Sequence, residues 1–248
     1  MRTLGIDLAA QPAGTAACTL AWSGEAAVAV ELRRGLDDAA LTGLRRDSAM
    51  TAIDAPFAWP EALTAALGRW SIERRWPQTT AQQLRYRVTD LEVHRVTGIW
   101  PLSPSADRIG VCAWRCARLL TAWAVGDLLG GDGAVEGYPA AALRCWELPA
   151  RGYKAQAPQA RARSLEARQG LIAELRQRCP WLELTASQWE ACRVSHDTLD
   201  ALICALVARA AAIGAVLPVP AEHGRAARHE GWIALPAPGS LERLGSRG

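Results

Sequence analysis

Apolar residues in the opening stretch MRTLGIDLAAQ fall at Leu4, Ile6 and Leu8, which predicts a strand that runs into a sheet core. Asp7 interrupts that run just before the small residues Ala9 and Ala10. An unpaired buried carboxylate is costly, so Asp7 is a candidate metal ligand, while capping of the turn after the strand is the plainer use of an aspartate there. Gly14 to Trp22 and Ala26 to Leu32 predict two more strands, joined by a tight turn at Ser23-Gly24. Leu36, Ala40, Leu41 and Leu44 recur at helical spacing, and the short apolar strand that follows, within Met50 to Trp59, ends in Asp54 and is stopped by Pro56. A strand after such a helix is expected to run parallel to the first through a right-handed crossover. Asp7 and Asp54 would then stand at the C-terminal ends of neighbouring strands, where open α/β sheets bind ligands.

Pro60 to Gly131 breaks this regularity, with Trp70, Trp76 and Trp100 among arginines and prolines, and reads as an insertion. Its segment Arg85-Tyr86-Arg87-Val88-Thr89-Asp90 is either an ordinary solvated loop or a phosphate clamp built on Arg87, Thr89 and Asp90. Ile109 to Leu129 predicts one long amphipathic helix. Ala134 to Pro139 predicts a third strand that ends in an acid, Glu136, followed by a short helix over Ala140 to Trp146. A polar loop from Arg151 to Pro158 holds Lys154; then come a helix over Gln159 to Arg178, a short strand at Leu182 to Leu184, and a helical turn at Gln188 to Cys192.

The helix from Ser195 to Ile213 has Ser195 as N-cap and Leu199, Leu202, Ile203, Leu206 and Val207 as its buried stripe. Asp197 and Asp200, three apart, project from one side of its first turns, a place where the macrodipole alone favours acids. Gly231 to Leu235 is a candidate edge strand in a tail rich in Pro, Gly and Arg.

With 248 residues and half of them apolar, the chain reads as one α/β domain, 1–248, that can bury a full core, with a large helical insertion at about 60–131. A net charge of +3 neither announces nor excludes nucleic acid. No leader pattern and no apolar run of about 20 residues is found, so a cytoplasmic protein without a membrane partner is expected. Seven cysteines, scattered without zinc spacing, predict buried reduced thiols. Lys154 is the only lysine in an arginine-rich chain, which suggests that an ammonium is wanted there.

Three strand-end acids and a D-x-x-D helix turn suit Mg²⁺ or Mn²⁺, and two such ions about 4 Å apart can activate a water and stabilise the leaving oxygen of a phosphodiester. The element order resembles the ribonuclease H-like fold, a mixed five-stranded sheet flanked by helices. Gly5-Ile6-Asp7, Ala52-Ile53-Asp54 and Asp197 to Leu202 are similar to the motifs of RuvC-type resolvases. More fully, the chain resembles the family "domain of unknown function 429", members of which are predicted nucleases. The motifs are G-I-D-L-A, A-I-D-A-P, R-x-T-D at Arg87 to Asp90, E-G-Y-P-A at Glu136 to Ala140, Tyr153-Lys154, H-D-T-L-D-A-L at His196 to Leu202, and E-G-W-I at Glu230 to Ile233.

The resemblance implies a metal-dependent nuclease on DNA or RNA, and a homodimer is compatible with it. Asp7 would bridge two ions, Asp54 and Asp200 would hold one each, and Asp197 or Glu136 would complete a shell or orient the water. Arg87 and Lys154 would hold phosphates, with Thr89 and Asp90 beside Arg87 in the substrate site. His196 would be either a proton shuttle or a local hydrogen bonder at the helix start. Two departures from the resolvase pattern stand out: Asp54 where those enzymes carry Glu, and the additional acid Glu136. Two other readings stay open. One is an actin-like or sugar-kinase-related ATPase that uses Ala13-Gly14-Thr15 near a phosphate; the other is a non-catalytic module that binds nucleic acid or protein through the Trp- and Arg-containing insertion.

Overall fold

The computed structural model describes residues 1–154 and 158–246. β1 (Arg2–Asp7), β2 (Ala16–Ser23) and β3 (Ala26–Arg34) form an antiparallel meander, and α1 (Asp38–Arg46) returns the chain to β4 (Met50–Asp54), parallel to β1. The insertion is helical: α2 (Glu61–Glu73), α3 (Ala81–Arg85), α4 (Val88–Thr97) and α5 (Gly110–Ala122). Next come β5 (Ala134–Glu136), α6 (Pro139–Cys145), α7 (Arg161–Arg178), β6 (Leu182–Glu183), α8 (Ala186–Val194), α9 (His196–Ala212) and α10 (Gly224–Glu230). The sheet order is β5-β4-β1-β2-β3-β6, and β2 alone runs against the others.

Among the described residues the sheet therefore has six strands. The sixth, β6, is the short strand expected at Leu182 to Leu184; it has only two residues, extends the sheet beyond the five strands of the ribonuclease H-like resemblance, and is held by pairing of Ala27 with Leu182 and Val28 with Glu183. The first hairpin turns at Gly24-Glu25, one residue later than the sequence suggests, with Gly24 at φ +58°. Helix α5 ends at Ala122 instead of reaching Leu129, because Ala124 turns to φ +54° and the Asp132 carboxylate accepts the backbone N–H groups of Gly126 and Asp127 at 2.8 and 2.7 Å. Gly231 to Leu235 does not form a strand. It makes one parallel bridge, Ile233 to Glu136, beside β5.

Side-chain alternation divides β1 sharply. Leu4, Ile6 and Leu8 pack with Leu36, Leu41, Cys116, Leu119 and Leu120 in a core under α1 and α5. Thr3, Gly5 and Asp7 face α9 instead. The Thr3 hydroxyl donates to the Ala205 carbonyl at 3.0 Å, and a Cβ at Gly5 would stand 2.1 Å from both Ala201 O and Ala205 N. That approach is possible only without a side chain at Gly5 and with small residues on the helix. Helix α9 is buried without interruption from Thr198 to Ala210, on every side, not along one stripe. It lies between the sheet and a layer that includes α6, α7 and α8, as expected for a helix apolar all round. All seven cysteines are free thiols, and among the described residues no helix is long and apolar enough to cross a membrane.

Candidate metal centre

The parallel register places Asp7 directly opposite Asp54 at the ends of β1 and β4. Ala52 lies in the core under α9 and Ile53 in the core under α5, so Asp54, two residues after Ala52, shares the α9 face with Asp7. The close crossing at Gly5 brings the start of α9 to the same place, and with it Asp200, which is 1% exposed. Consecutive residues grip Asp200. The Tyr153 hydroxyl donates to Oδ1 at 2.9 Å and the Lys154 ammonium reaches Oδ2 at 2.6 Å, while the same ammonium stands 3.8 Å from Asp54 Oδ2. Residues 155–157, part of the polar loop expected from Arg151 to Pro158, lie outside the described residues.

These acids strain against one another. Burial, followed by the charges of Asp200 and Asp54, pushes the Asp7 carboxyl well above the usual carboxylate range, and Lys154 only partly opposes this. Burial also raises Asp54 to about 7, against the lowering by Lys154 and with help from Asp200 and Glu136. Among the described residues the Asp7 carboxylate accepts no hydrogen bond and has no ion-pair partner, so its charged form is costly as it stands.

At the start of α9, Ser195 caps the helix by accepting from the Thr198 N–H. One ligand atom each from Asp7, His196 and Asp200 lies within 4.8 Å of the others. His196 Nδ1 is 2.8 Å from Asp197 Oδ1, and Asp197 also pairs with Arg34 on β3. Burial alone would raise Asp197, but the bond from His196 and the charges of His196, Arg34 and Lys154 hold it below the usual range. Asp197 therefore does not join Asp200 in one ligand pair. It holds the imidazole, an outer partner that sets ring orientation.

Glu136 is not grouped with the other acids. It pairs across β4 with Ile53, not with Asp54, so it leaves the sheet on the face opposite to Asp7 and Asp54. There Arg87 takes both its oxygens, Nη1 to Oε2 and Nη2 to Oε1, each at 2.7 Å, and the Phe57 N–H donates to Oε2 at 3.0 Å. Arg87 is likewise no phosphate clamp. It is 1% exposed, and its remaining guanidinium N–H groups go to Asp90 and to the Glu230 carbonyl, which leaves no donor for a substrate. Asp90 is fully buried as its counter-ion, and the Thr89 hydroxyl is spent on the Ile233 N–H at 2.8 Å.

A family profile described as "Protein of unknown function (DUF429)" matches residues 5–225, a span that holds every one of these side chains. The chain belongs to the DUF429 family. No curated protein and no solved structure matches it.

In this DUF429 chain the acids open onto a cavity of about 470 Å³, lined by Asp7, Asp54 and Lys154 together with Leu102, Ile109 and Tyr138. Arg108 also lines it, is exposed, and has no ion pair among the described residues, so unlike Arg87 it keeps donors that face the cavity. Nothing in the sequence marks Arg108 out from the other arginines. Tyr153 was visible only as part of a motif, and its bond to Asp200 depends on a loop packing that no local pattern reports. Thr15, the last residue of the Ala13-Gly14-Thr15 stretch in the ATPase reading, is buried and occupied: its oxygen accepts from Arg115 Nη1 at 2.6 Å and the Ala9 N–H at 3.2 Å.

Proposed function

We propose that the chain is a divalent-metal-dependent phosphodiester hydrolase that acts on DNA or RNA, built on a ribonuclease H-like fold. The fold reading is supported by the strand order, with a meander at the centre, β2 alone reversed, and parallel β4 and β5 beside β1. The reading of activity rests on one observation above others: carboxylates from two neighbouring strand ends and from α9 meet beside an open cavity, in mutual repulsion that a cation would relieve.

Oxygen donors with one imidazole fit Mg²⁺ or, better, Mn²⁺, since a nitrogen donor favours the softer ion. Asp7, Asp200 and His196 would hold it, and when bound it would supply an activated water and a stabilised leaving oxygen. Asp197 fixes the imidazole, Tyr153 fixes the Asp200 carboxylate, and Arg108 with Lys154 supplies positive charge for phosphate oxygens at the cavity. With its carboxyl raised to about 7, Asp54 can take up a proton near neutral pH, as a general base must.

The test is calorimetric titration of Mn²⁺ into the wild type and Asp7→Asn, followed by assays of both on branched, single-stranded and duplex DNA and on RNA. Metal binding and cleavage that vanish together in the variant support the reading. Wild-type protein that binds no metal even with nucleic acid present sinks it. That result would favour a binding module, a reading to which the exposed Trp70, Trp76 and Trp114 of the insertion would then lend themselves.

A further inference from the structure

Two ions that share a carboxylate site stand about 4 Å apart, and each needs donors of its own. Here the donors are divided. Among the described residues, the atoms close enough to share an ion come from Asp7, His196 and Asp200, and Asp54 is not among them. Asp54 is instead the acid that the Lys154 ammonium reaches, 3.8 Å from Oδ2, while the ammonium is bonded to Asp200 at 2.6 Å.

That ammonium is held in place. The residue before it, Tyr153, is 2% exposed, donates to the other oxygen of Asp200, and has its carbonyl bound by Arg168 Nη1 at 2.6 Å. Arg168 is tied in turn through Nε to the Arg193 carbonyl near the start of α9. The charge count agrees: with all three carboxylates ionised, as binding of a cation requires, three against one ammonium leave two negative charges, which one divalent ion neutralises and two would overshoot. A compact ammonium suits such a position, whereas a guanidinium is planar and wider, which accounts for a lone lysine in a chain that otherwise uses arginine.

We infer that the centre takes a single divalent ion, on the Asp7, His196 and Asp200 side, and that Lys154 stands where a second ion would otherwise bridge Asp54 and Asp200. The inference rests on the metal-dependent reading above and narrows it. Lys154 thereby acts as a specificity-determining residue for metal stoichiometry.

The experiment is Mn²⁺ titration by calorimetry, with electron paramagnetic resonance of the bound ion, on the wild type, Lys154→Met and Lys154→Gln. The wild type is expected to bind one ion with the spectrum of an isolated centre, and the variants to bind two with the spectrum of a spin-coupled pair. Lys154→Gln keeps a hydrogen bond to Asp200 and carries the same expectation if Lys154→Met does not fold. Two coupled ions in the wild type would overturn the inference and leave the metal-dependent reading intact. One ion in the wild type and still one in a folded variant would overturn the role of Lys154. No binding by any form would remove the metal-dependent reading, and this inference with it.

Discussion

Arg87 and Glu136 face each other through two parallel hydrogen bonds of 2.7 Å, both side chains nearly inaccessible to water, across 49 residues of sequence. A bidentate guanidinium–carboxylate pair of this kind is strongly oriented, and removal of one partner strands the other as a buried charge. With Asp90 on the far side of the guanidinium, the pair ties α4 of the insertion to β5 of the sheet.

Arg87→Ala is therefore expected to cost about 3–5 kcal/mol in urea denaturation, because Glu136 and Asp90 are left uncompensated. Glu136→Gln, which keeps a hydrogen-bond acceptor, is expected to cost less, about 1–3 kcal/mol, and to leave Mn²⁺ affinity unchanged. Loss of Mn²⁺ binding in a folded Glu136→Gln protein would show that this acid is a ligand after all.

Gly5 sets the distance between β1 and α9, since a methyl group there would meet the backbone at Ala201, Cys204 and Ala205. Gly5→Ala is expected to destabilise the protein by roughly 3 kcal/mol or more, as overpacking against rigid backbone does. It also moves Asp200 away from Asp7. Thermal unfolding and Mn²⁺ calorimetry on the same sample check both effects, and a variant with unchanged melting and unchanged affinity would contradict the packing argument.

Asp197 acts through His196. In Asp197→Asn the imidazole loses its charged partner, and Mn²⁺ affinity is expected to fall about 10–100-fold while the circular dichroism spectrum stays that of the wild type. An affinity equal to that of the wild type would mean that His196 does not take part in metal binding.

Asp54 offers a test by pH. Its carboxyl is raised to about 7 in the folded chain, chiefly by burial, against about 3.9 in an unfolded one. The folded state thus favours the protonated form. The contribution of this group to stability is fully present below about pH 4 and is lost as pH rises through about 7. Without metal, Asp54→Asn should gain stability relative to the wild type across that window and hold a constant advantage above it. Denaturation curves from pH 4 to 9 measure the difference, and a gap that does not change with pH would refute the shift.

Much of the centre is legible in the chain. The crossover rule is enough to make β1 and β4 parallel neighbours, and the strands end in Asp7 and Asp54, so their adjacency follows before any coordinates are seen. The spacing of Asp197 and Asp200 places both in the first turns of α9, yet only Asp200 comes close to Asp7 at the end of β1, while Asp197 pairs with Arg34 on β3. The cluster at Arg87 to Asp90 has the same composition as a solvated loop or a phosphate clamp, and its burial depends on Glu136 and Glu230, distant partners that no local window contains.

The sequence by itself determined helices α1, α6, α7 and α9, the meander, the first parallel pair and the identity of the acids, because hydrophobic period, caps and the handedness of crossovers act over a few to a few tens of residues. Only the tertiary structure decided which acids share a site. A shift of one residue in strand register sends a side chain to the opposite face, so pairing of Ile53 with Glu136 turned that acid toward Arg87, while Asp54 and Asp200 were left to Lys154 and Asp7 to their repulsion.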